Sequence, residues 1–250
     1  MNFKLVLQYD GTDFSGWQKQ PKLRTIQGEL ERALSKLFDD EIAVVAAGRT
    51  DAGVHAAGQV VSFASDKARS LASIQAGLNS LLPESVSVTS VQKAKTDFNA
   101  RFDAVTRSYR YQIVRRNEAL RSRYAWCEQT KLNVQDMQTC SRAILGEHDF
   151  QSFCSTDAEV NHYRCFVKRA VWRYAGPNVL VFNIAADRFL HNMVRILVGT
   201  MVEIGRERFT PADFLQMLES KDRRSAGLTA PAKGLCLTQV DYDQTFSEDT

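Results

Sequence analysis

The sequence predicts an α+β protein in which two related α/β halves share a mostly antiparallel, mixed sheet. Three observations support this fold class. Apolar and polar residues alternate over several short segments, helical periodicity returns between those segments, and no linker rich in glycine, serine or proline interrupts the chain. We expect the helices on one side of the sheet, a central cleft, and a boundary that divides residues 1–105 from residues 106–250.

The first half begins with a strand, because Phe3, Leu5 and Leu7 alternate with less apolar neighbours. Thr25 is suited to cap the helix that follows, whose apolar residues recur at helical spacing up to Phe38. The remaining predicted elements of this half are strands over 42–47 and 59–63, a helix over 71–82 that Pro83 ends, and a strand over 86–91.

The second half opens with a strand over 109–113, in which aromatic and charged residues alternate. Thr210-Pro211 is a typical helix start, since threonine caps and proline fits the first turn. The other predicted elements are helices over 134–145 and 190–204, a hairpin of strands over 170–174 and 179–185, and a final strand over 235–242.

Composition places the chain among ordinary globular proteins, with 44% hydrophobic and 24% charged residues in 250. No apolar stretch is long enough to span a bilayer, and the N-terminus does not resemble a secretion signal, so we expect a cytoplasmic protein with no membrane association. The five cysteines are scattered and predicted to be reduced. Neither they nor the four histidines show metal-ligand spacing, so we expect no metal.

Arginine is concentrated in two clusters, although the net charge is only +3. Six arginines and one acidic residue lie between positions 107 and 123, and a second cluster of four basic residues lies between 164 and 173. Arginine interleaved with tyrosine suits a phosphate backbone with unstacked bases. On charge alone, solvated strand faces explain the pattern equally well.

The most informative segment is the motif loop, residues 48–56, with the sequence GRTDAGVHA. It presents Arg49 and Asp51 between glycines at the end of a predicted strand. Taken alone, an aspartate in such a loop most often bonds to its own backbone in an Asx turn.

The motif loop resembles the signature of the TruA family of tRNA pseudouridine synthases over nine consecutive residues. The resemblance implies the pseudouridine synthase fold and the isomerisation of uridine to pseudouridine at positions 38, 39 and 40 of the tRNA anticodon stem-loop. It also implies a homodimer with tRNA as its substrate. Further matching segments follow in the family's order and extend over nearly the whole chain: residues 9–11, 14–18, 58–61, 98–102, 107–111, 191–195 and 234–235.

The implied reaction breaks the bond between N1 and C1′, turns the uracil and joins C5 to C1′. Nothing is oxidised or hydrolysed, so we expect no cofactor. The resemblance implies Asp51 as the nucleophile, and a carboxylate can attack C1′. Attack at C6 of the base and passage through a glycal stay open. Each route needs an ionised carboxylate, which a nearby cation favours.

The resemblance implies two further catalytic residues. Arg195 corresponds to the ion-pair partner of the carboxylate, and its apolar helical neighbours argue against a fully solvated position. Tyr109 corresponds to the active-site tyrosine, which can stack on the flipped uracil and assist proton transfer from C5. Tyr111 is better explained as a core residue, and Leu235 is expected to form an apolar wall against the base.

Binding of the unstacked nucleotide is assigned by the resemblance to a group of arginines: Arg49 beside the nucleophile, and Arg101, Arg107 and Arg110 as phosphate contacts. His55 is either an acid–base group or a residue that packs the loop. The segment over 154–168 follows the family least well, and only Arg164 is carried over from it.

Two other functions compete with the synthase. An RNA-binding protein could keep the fold without catalysis, although it has no use for a carboxylate beside phosphates. A carboxylate-dependent nucleosidase could act on small molecules, although the arginines and the lack of a second matched carboxylate argue against it.

Overall fold

The computed structural model describes residues 1–156 and 160–242. Contacts divide the chain into two compact units, one formed by Met1–Val105 with the chain from Cys236 onward, and one by Thr106–Leu235. In chain order the strands are β1 (Asn2–Tyr9), β2 (Val45–Ala46), β3 (His55–Ala64), β4 (Val86–Ala94), β5 (Thr106–Val114), β6 (Trp126–Cys127), β7 (Gly146–Asp149), β8 (Arg164–Gly176), β9 (Val179–Ala186) and β10 (Leu235–Asp241). The helices are α1 (Ile26–Phe38), α2 (Leu71–Leu81), α3 (Val134–Ala143), α4 (Met193–Gly205) and α5 (Pro211–Ser220).

The first unit contains strands in the order β4-β1-β3-β10. β1 pairs antiparallel with β3 and β4, whereas β10 runs parallel to β3 through the pairs Cys236–His55 and Leu237–Ala56. Phe3 is fully buried and stacks on Phe63 with ring centroids 5.0 Å apart. This core supports β3, the strand that leaves the motif loop.

The second unit contains strands in the order β5-β9-β8-β7 with antiparallel pairing, and β6 pairs parallel with β5. Trp172 of β8 stacks on Phe182 of β9 with ring centroids 4.7 Å apart, and the indole N–H faces Met201 of α4. A mixed, mostly antiparallel arrangement of strands with helices confirms the predicted α+β class.

Helix starts were predicted well because capping is a local property. Thr25 accepts a hydrogen bond from the Gly28 amide at 3.2 Å and caps α1 as predicted. At α5, Thr210 and Asp213 form a reciprocal capping box, with Pro211 in the first turn.

Some predicted boundaries differ from the structure. Of the predicted strand over 42–47, only Val45 and Ala46 belong to β2, while Ile42 and Val44 are buried outside it, so their apolar character reports packing and not pairing. The predicted helix over 190–204 begins at Met193, since Asn192 adopts a left-handed conformation with a φ of 59°. β7 was not predicted because its residues show no apolar alternation.

No helix among the described residues is long and apolar enough to cross a membrane.

The C-terminal end of α4 is held by a buried ionic cluster. Arg206 contacts the carboxylates of Glu203 and Glu128, and its guanidinium lies over the Trp126 ring, 5.7 Å from the centroid. Burial alone raises the pKa of Glu128, but hydrogen bonds from Thr130 and Arg206 outweigh burial and lower that pKa overall. The folded state therefore favours the ionised carboxylate.

Replacing Glu128 with glutamine tests this cluster, since the change keeps the shape and removes the charge beside Arg206. We expect the free energy of unfolding at pH 7 to fall by about 1–3 kcal/mol. Because the pKa of Glu128 is lower in the folded state, its negative charge stabilises the fold above pH 4.5, the ordinary pKa of a glutamate. That stabilisation is lost as the pH falls through the pKa of the folded state. The difference between variant and wild type should therefore shrink below that pH in denaturant titrations.

The matched control is Glu147→Gln, because Glu147 is exposed and lies 3.8 Å from Arg164 in an exposed pair. We expect that change to alter stability by less than roughly 1 kcal/mol. An equal effect of Glu128→Gln at pH 7 and at pH 3 would contradict the electrostatic explanation.

Candidate active site

The motif loop is held by main-chain hydrogen bonds from a segment far from it in sequence. The Trp17 amide donates to the Thr50 carbonyl at 2.9 Å, and the Gly53 amide donates to the Phe14 carbonyl at 3.3 Å. Within the loop, the Val54 amide donates to the Asp51 carbonyl at 3.1 Å. Asp51 is half-buried in this frame. The loop is therefore an ordered support for the carboxylate.

Glycines allow the two segments to approach. Gly16 adopts a φ of +88°, and a Cβ added there would lie 2.8 Å from the Thr50 carbonyl oxygen. A Cβ on Gly11 would lie only 2.0 Å from the Val54 carbonyl oxygen. Both distances are shorter than real Cβ contacts, so side chains at these positions would displace the motif loop.

His55 contacts the neighbouring turn. Its Nδ1 lies 3.1 Å from the Gly11 amide and 3.2 Å from the Asp10 carboxylate, and the side chain is buried. The two contacts require opposite protonation of Nδ1, since the amide needs an acceptor and the carboxylate needs a donor. Either contact ties the end of the motif loop to the turn after β1, which agrees with the packing alternative for this residue.

In the second unit, Arg195 is held from two directions. Its Nε donates to the Ala230 carbonyl at 2.8 Å, and its Nη1 donates to the Asn192 side-chain oxygen at 2.6 Å. The Asn192 amide nitrogen in turn donates to the Ser155 hydroxyl at 2.8 Å. Asn192 adopts the left-handed conformation, which asparagine tolerates. Its side chain makes no capping hydrogen bond to the start of α4 and instead accepts from Arg195.

Sequence reasoning missed Asn192 and Ser155. The available signal was the spacing of Asn192 and Arg195, because residues three apart on a helix lie on the same face. Ser155 gave no comparable signal, since 37 residues separate it from Asn192.

The two tyrosines of β5 are both buried, but their contacts differ. Tyr111 is fully buried, donates its hydroxyl to the Pro231 carbonyl at 2.7 Å and lies against Gly234. Burial raises the pKa of Tyr111, and the charge of Arg195 opposes that rise. Tyr109 retains 8% exposure and packs edge-on against Phe189, with ring centroids 5.1 Å apart.

Leu235 is buried at the start of β10. Its neighbour Gly234 contacts the Tyr111 ring, and Tyr111 in turn is sensitive to the charge of Arg195. Within the second unit, the structure therefore brings the chain before Leu235, the buried tyrosine and the start of α4 together.

The predicted RNA-binding arginines differ in exposure. Arg49, Arg101 and Arg110 are exposed, whereas Arg107 is half-buried and donates to the Asp187 carbonyl at 2.7 Å. Arg110 lies 3.5 Å from the Asn183 side-chain oxygen, and the Arg101 guanidinium lies 5.7 Å from the Phe102 ring centroid. Arg49 and Arg101 belong to the first unit, and Arg107 and Arg110 to the second.

Most of the divergent segment over 154–168 is described, but residues 157–159 lie outside the described residues. Arg164 is exposed at the start of β8 and lines an open cavity of about 500 Å³. The cavity is lined by Glu147, His162, Arg164, Cys165, Phe166 and Asp187.

The cysteines in the described residues are free thiols, and burial raises the pKa of Cys140 and Cys165 to about 12. No group of three or more histidine, cysteine, aspartate or glutamate residues within 1–156 and 160–242 could hold a metal ion.

Comparison with known proteins places the chain in the class of RNA-modifying isomerases. A family model described as tRNA pseudouridine synthase matches residues 5–103 and 141–243. The chain belongs to this tRNA pseudouridine synthase family, as the motif loop predicted.

Relatives named tRNA pseudouridine synthase A match over nearly their whole length. The protein from Moorella thermoacetica is 42% identical over 96% of this chain and 98% of its own. The protein from Geobacillus kaustophilus is 42% identical over 96% of this chain and 94% of its own. The protein from Buchnera aphidicola is 43% identical over 98% of this chain and 92% of its own.

The contact between Gly16 and Thr50 can be tested by Gly16→Ala, with Gly146→Ala as its control. Both glycines have nearly the same φ, +88° and +89°, but nothing lies within 4 Å of a Cβ on Gly146. Each change should destabilise the fold by about 1–2 kcal/mol through the left-handed conformation. We expect a further loss of stability and of catalytic rate only for Gly16→Ala, because only that Cβ displaces the motif loop.

Thermal unfolding and turnover on tRNA, measured for both variants, separate the two effects. Equal losses of stability and rate in Gly16→Ala and Gly146→Ala would mean that the contact with Thr50 has no importance of its own.

Proposed function

We propose that this chain isomerises uridine to pseudouridine at positions 38, 39 and 40 of the tRNA anticodon stem-loop, with Asp51 as nucleophile. The observation that carries the proposal is the motif loop itself. Its nine residues match the family signature, and Asp51 is half-buried in a main chain that accepts a hydrogen bond from Trp17 and donates one to Phe14. The curated relatives named tRNA pseudouridine synthase A support the choice of tRNA.

The reaction conserves the atoms of the nucleotide apart from exchanged protons. The N1–C1′ bond breaks, the C5–C1′ bond forms, C5 loses its proton and N1 gains one. Asp51 has the required character, because a carboxylate can form and later release a covalent adduct. Its position on a fixed loop keeps the attacking oxygen at a defined place, as effective catalysis requires.

We assign the other catalytic roles to residues of the second unit. Arg195 is proposed as the ion-pair partner of the Asp51 carboxylate, since the planar guanidinium matches the geometry of a carboxylate. Its own contacts with Ala230 and Asn192 orient the guanidinium. Tyr109, which stays slightly exposed, is proposed to stack on the uracil and assist proton transfer from C5, with Leu235 as an apolar wall.

The arginines are proposed to hold the RNA. Arg49 would support the strand from which the nucleotide is displaced, and Arg101, Arg107 and Arg110 would contact phosphates.

A homodimer would join two modest basic surfaces into a longer one, and light scattering of the protein alone tests that pairing. We place the reaction in the cytoplasm, where tRNA is matured.

The central test is Asp51→Asn, which keeps the shape of the side chain and removes its charge. We expect turnover to vanish while tRNA affinity stays within about fivefold, because the interaction lost is one made with the reacting atoms and not with the RNA backbone. The assay is tritium release from tRNA that carries uridine labelled at C5, alongside a filter-binding measurement of affinity.

The matched control is Asp40→Asn. Asp40 is an exposed aspartate that follows α1 and belongs to the same unit as Asp51. That variant should release tritium at the wild-type rate. Turnover by Asp51→Asn would remove the carboxylate from the mechanism, and wild-type protein that binds tRNA without releasing tritium would favour a binding protein. Release of free uracil would favour a nucleosidase.

The proposed docking surface predicts a steep dependence of tRNA affinity on salt. Each phosphate neutralised by an arginine releases counterions, so several contacts should lower affinity by about a hundredfold or more between 50 and 200 mM salt. Arg110→Gln should reduce the slope by about one contact. A flat dependence for the wild type would exclude these arginines as the main docking group.

A further inference from the structure

Three side chains behind the motif loop form a buried chain of hydrogen bonds. The Gln59 amide nitrogen donates to the Gly48 carbonyl at 2.8 Å and lies 3.4 Å from the Tyr9 hydroxyl. The Tyr9 hydroxyl lies 2.8 Å from the Thr50 hydroxyl. Gly48 opens the motif loop and Thr50 directly precedes Asp51, so both ends of this chain fall on the loop.

The directions of these bonds follow from donor chemistry. The Gln59 amide nitrogen can only donate, so the Tyr9 oxygen accepts from it. Either hydroxyl can donate in the bond between Tyr9 and Thr50. The hydrogen bonds therefore link β3 through the end of β1 to the residue beside the proposed nucleophile.

Burial makes these bonds persistent. Gln59 is fully buried, Tyr9 is 4% exposed and Thr50 is 6% exposed, so water does not compete for their polar atoms. Burial also raises the pKa of Tyr9 to about 12, partly offset by hydrogen bonds with Thr50 and Gln59. The hydroxyl therefore stays protonated and able to donate throughout the neutral range.

The strands themselves do not need these polar side chains. Tyr9 and Gln59 lie among the apolar residues Leu7, Val60 and Val61, all of which are buried. An apolar side chain at either position would avoid the free energy of burying a polar group. The groups that gain from the polar choice are the Gly48 carbonyl and the Thr50 hydroxyl, and both belong to the motif loop.

We propose that Tyr9, Thr50 and Gln59 are positioning residues, which fix the main chain of the motif loop at Gly48 and Thr50 and thereby hold the Asp51 carboxylate in its attacking orientation. The inference rests on the proposed function, since it concerns the same carboxylate. The three residues act through Asp51 and do not contact the substrate.

The test uses a pair of substitutions at Thr50. Thr50→Val keeps the shape and removes the hydroxyl, whereas Thr50→Ser keeps the hydroxyl and removes a methyl group. We expect the single-turnover rate of tritium release to fall about ten- to hundredfold in Thr50→Val, because a small displacement of a reacting group has effects of that size. Thr50→Ser should retain most of the rate, and tRNA affinity should stay within about twofold in both.

Tyr9→Phe is the second variant, and Tyr242→Phe is its matched control. The Tyr242 hydroxyl donates to the Ala100 carbonyl at 2.8 Å, so this change also removes one hydroxyl bond within the first unit. Both variants should lose similar stability, measured as similar falls in the midpoint of thermal unfolding. The single-turnover rate, measured well below the unfolding temperature, should fall only in Tyr9→Phe.

Several outcomes would overturn the inference. A wild-type rate in Thr50→Val and Tyr9→Phe would do so, as would an equal loss in Thr50→Ser and Thr50→Val, which indicates packing. A loss of tRNA affinity in parallel with rate would show a binding defect. If Thr50→Val does not fold, Tyr9→Phe decides alone. Wild-type protein inactive on tRNA would instead refute the proposed function, and this inference with it.

Discussion

The candidate site depends on one constraint, which is that the main-chain carbonyls of Gly48 and Thr50 receive their hydrogen bonds from outside the motif loop. A loop of this kind has no ladder of its own, yet its buried polar groups need hydrogen bonds. The amide of Trp17 and the side chain of Gln59 supply two of them, to the carbonyls of Thr50 and Gly48. Because Trp17 and Gln59 are both buried, their hydrogen bonds fix the motif loop to the core of the first unit.

Sequence patterns predicted most of the fold where local physics decides the outcome. Alternation located β1, and the caps of α1 and α5 were identified because Thr25 and Thr210 bond to amides only three residues away. The patterns failed where pairing partners decide. β7 contains no apolar alternation and is a strand through its pairing with β8, and Ile42 shows the converse, an apolar residue buried outside any strand.

The same division holds for the candidate site. Asp51 could be proposed from the sequence because nine contiguous residues carry the motif. Tyr9 and Gln59 could not, since 50 residues separate them and each alone fits an ordinary strand. The available signal was Gln59 itself, a polar residue directly before the apolar residues Val60 and Val61 of a predicted strand. Such a residue needs a hydrogen-bond partner, but the sequence does not say which one.

Two polar arrangements, one buried in the first unit and one half-buried in the second, lie behind residues proposed for catalysis. Gln59 and Tyr9 stand behind the motif loop, and Asn192 with the Ala230 carbonyl stands behind Arg195. The exposed arginines proposed to bind RNA show the opposite arrangement, since long side chains at the surface can meet phosphates at variable positions. Polar contacts behind the side chain therefore accompany the residues proposed to act on one bond, and exposure accompanies most of those proposed to hold the RNA.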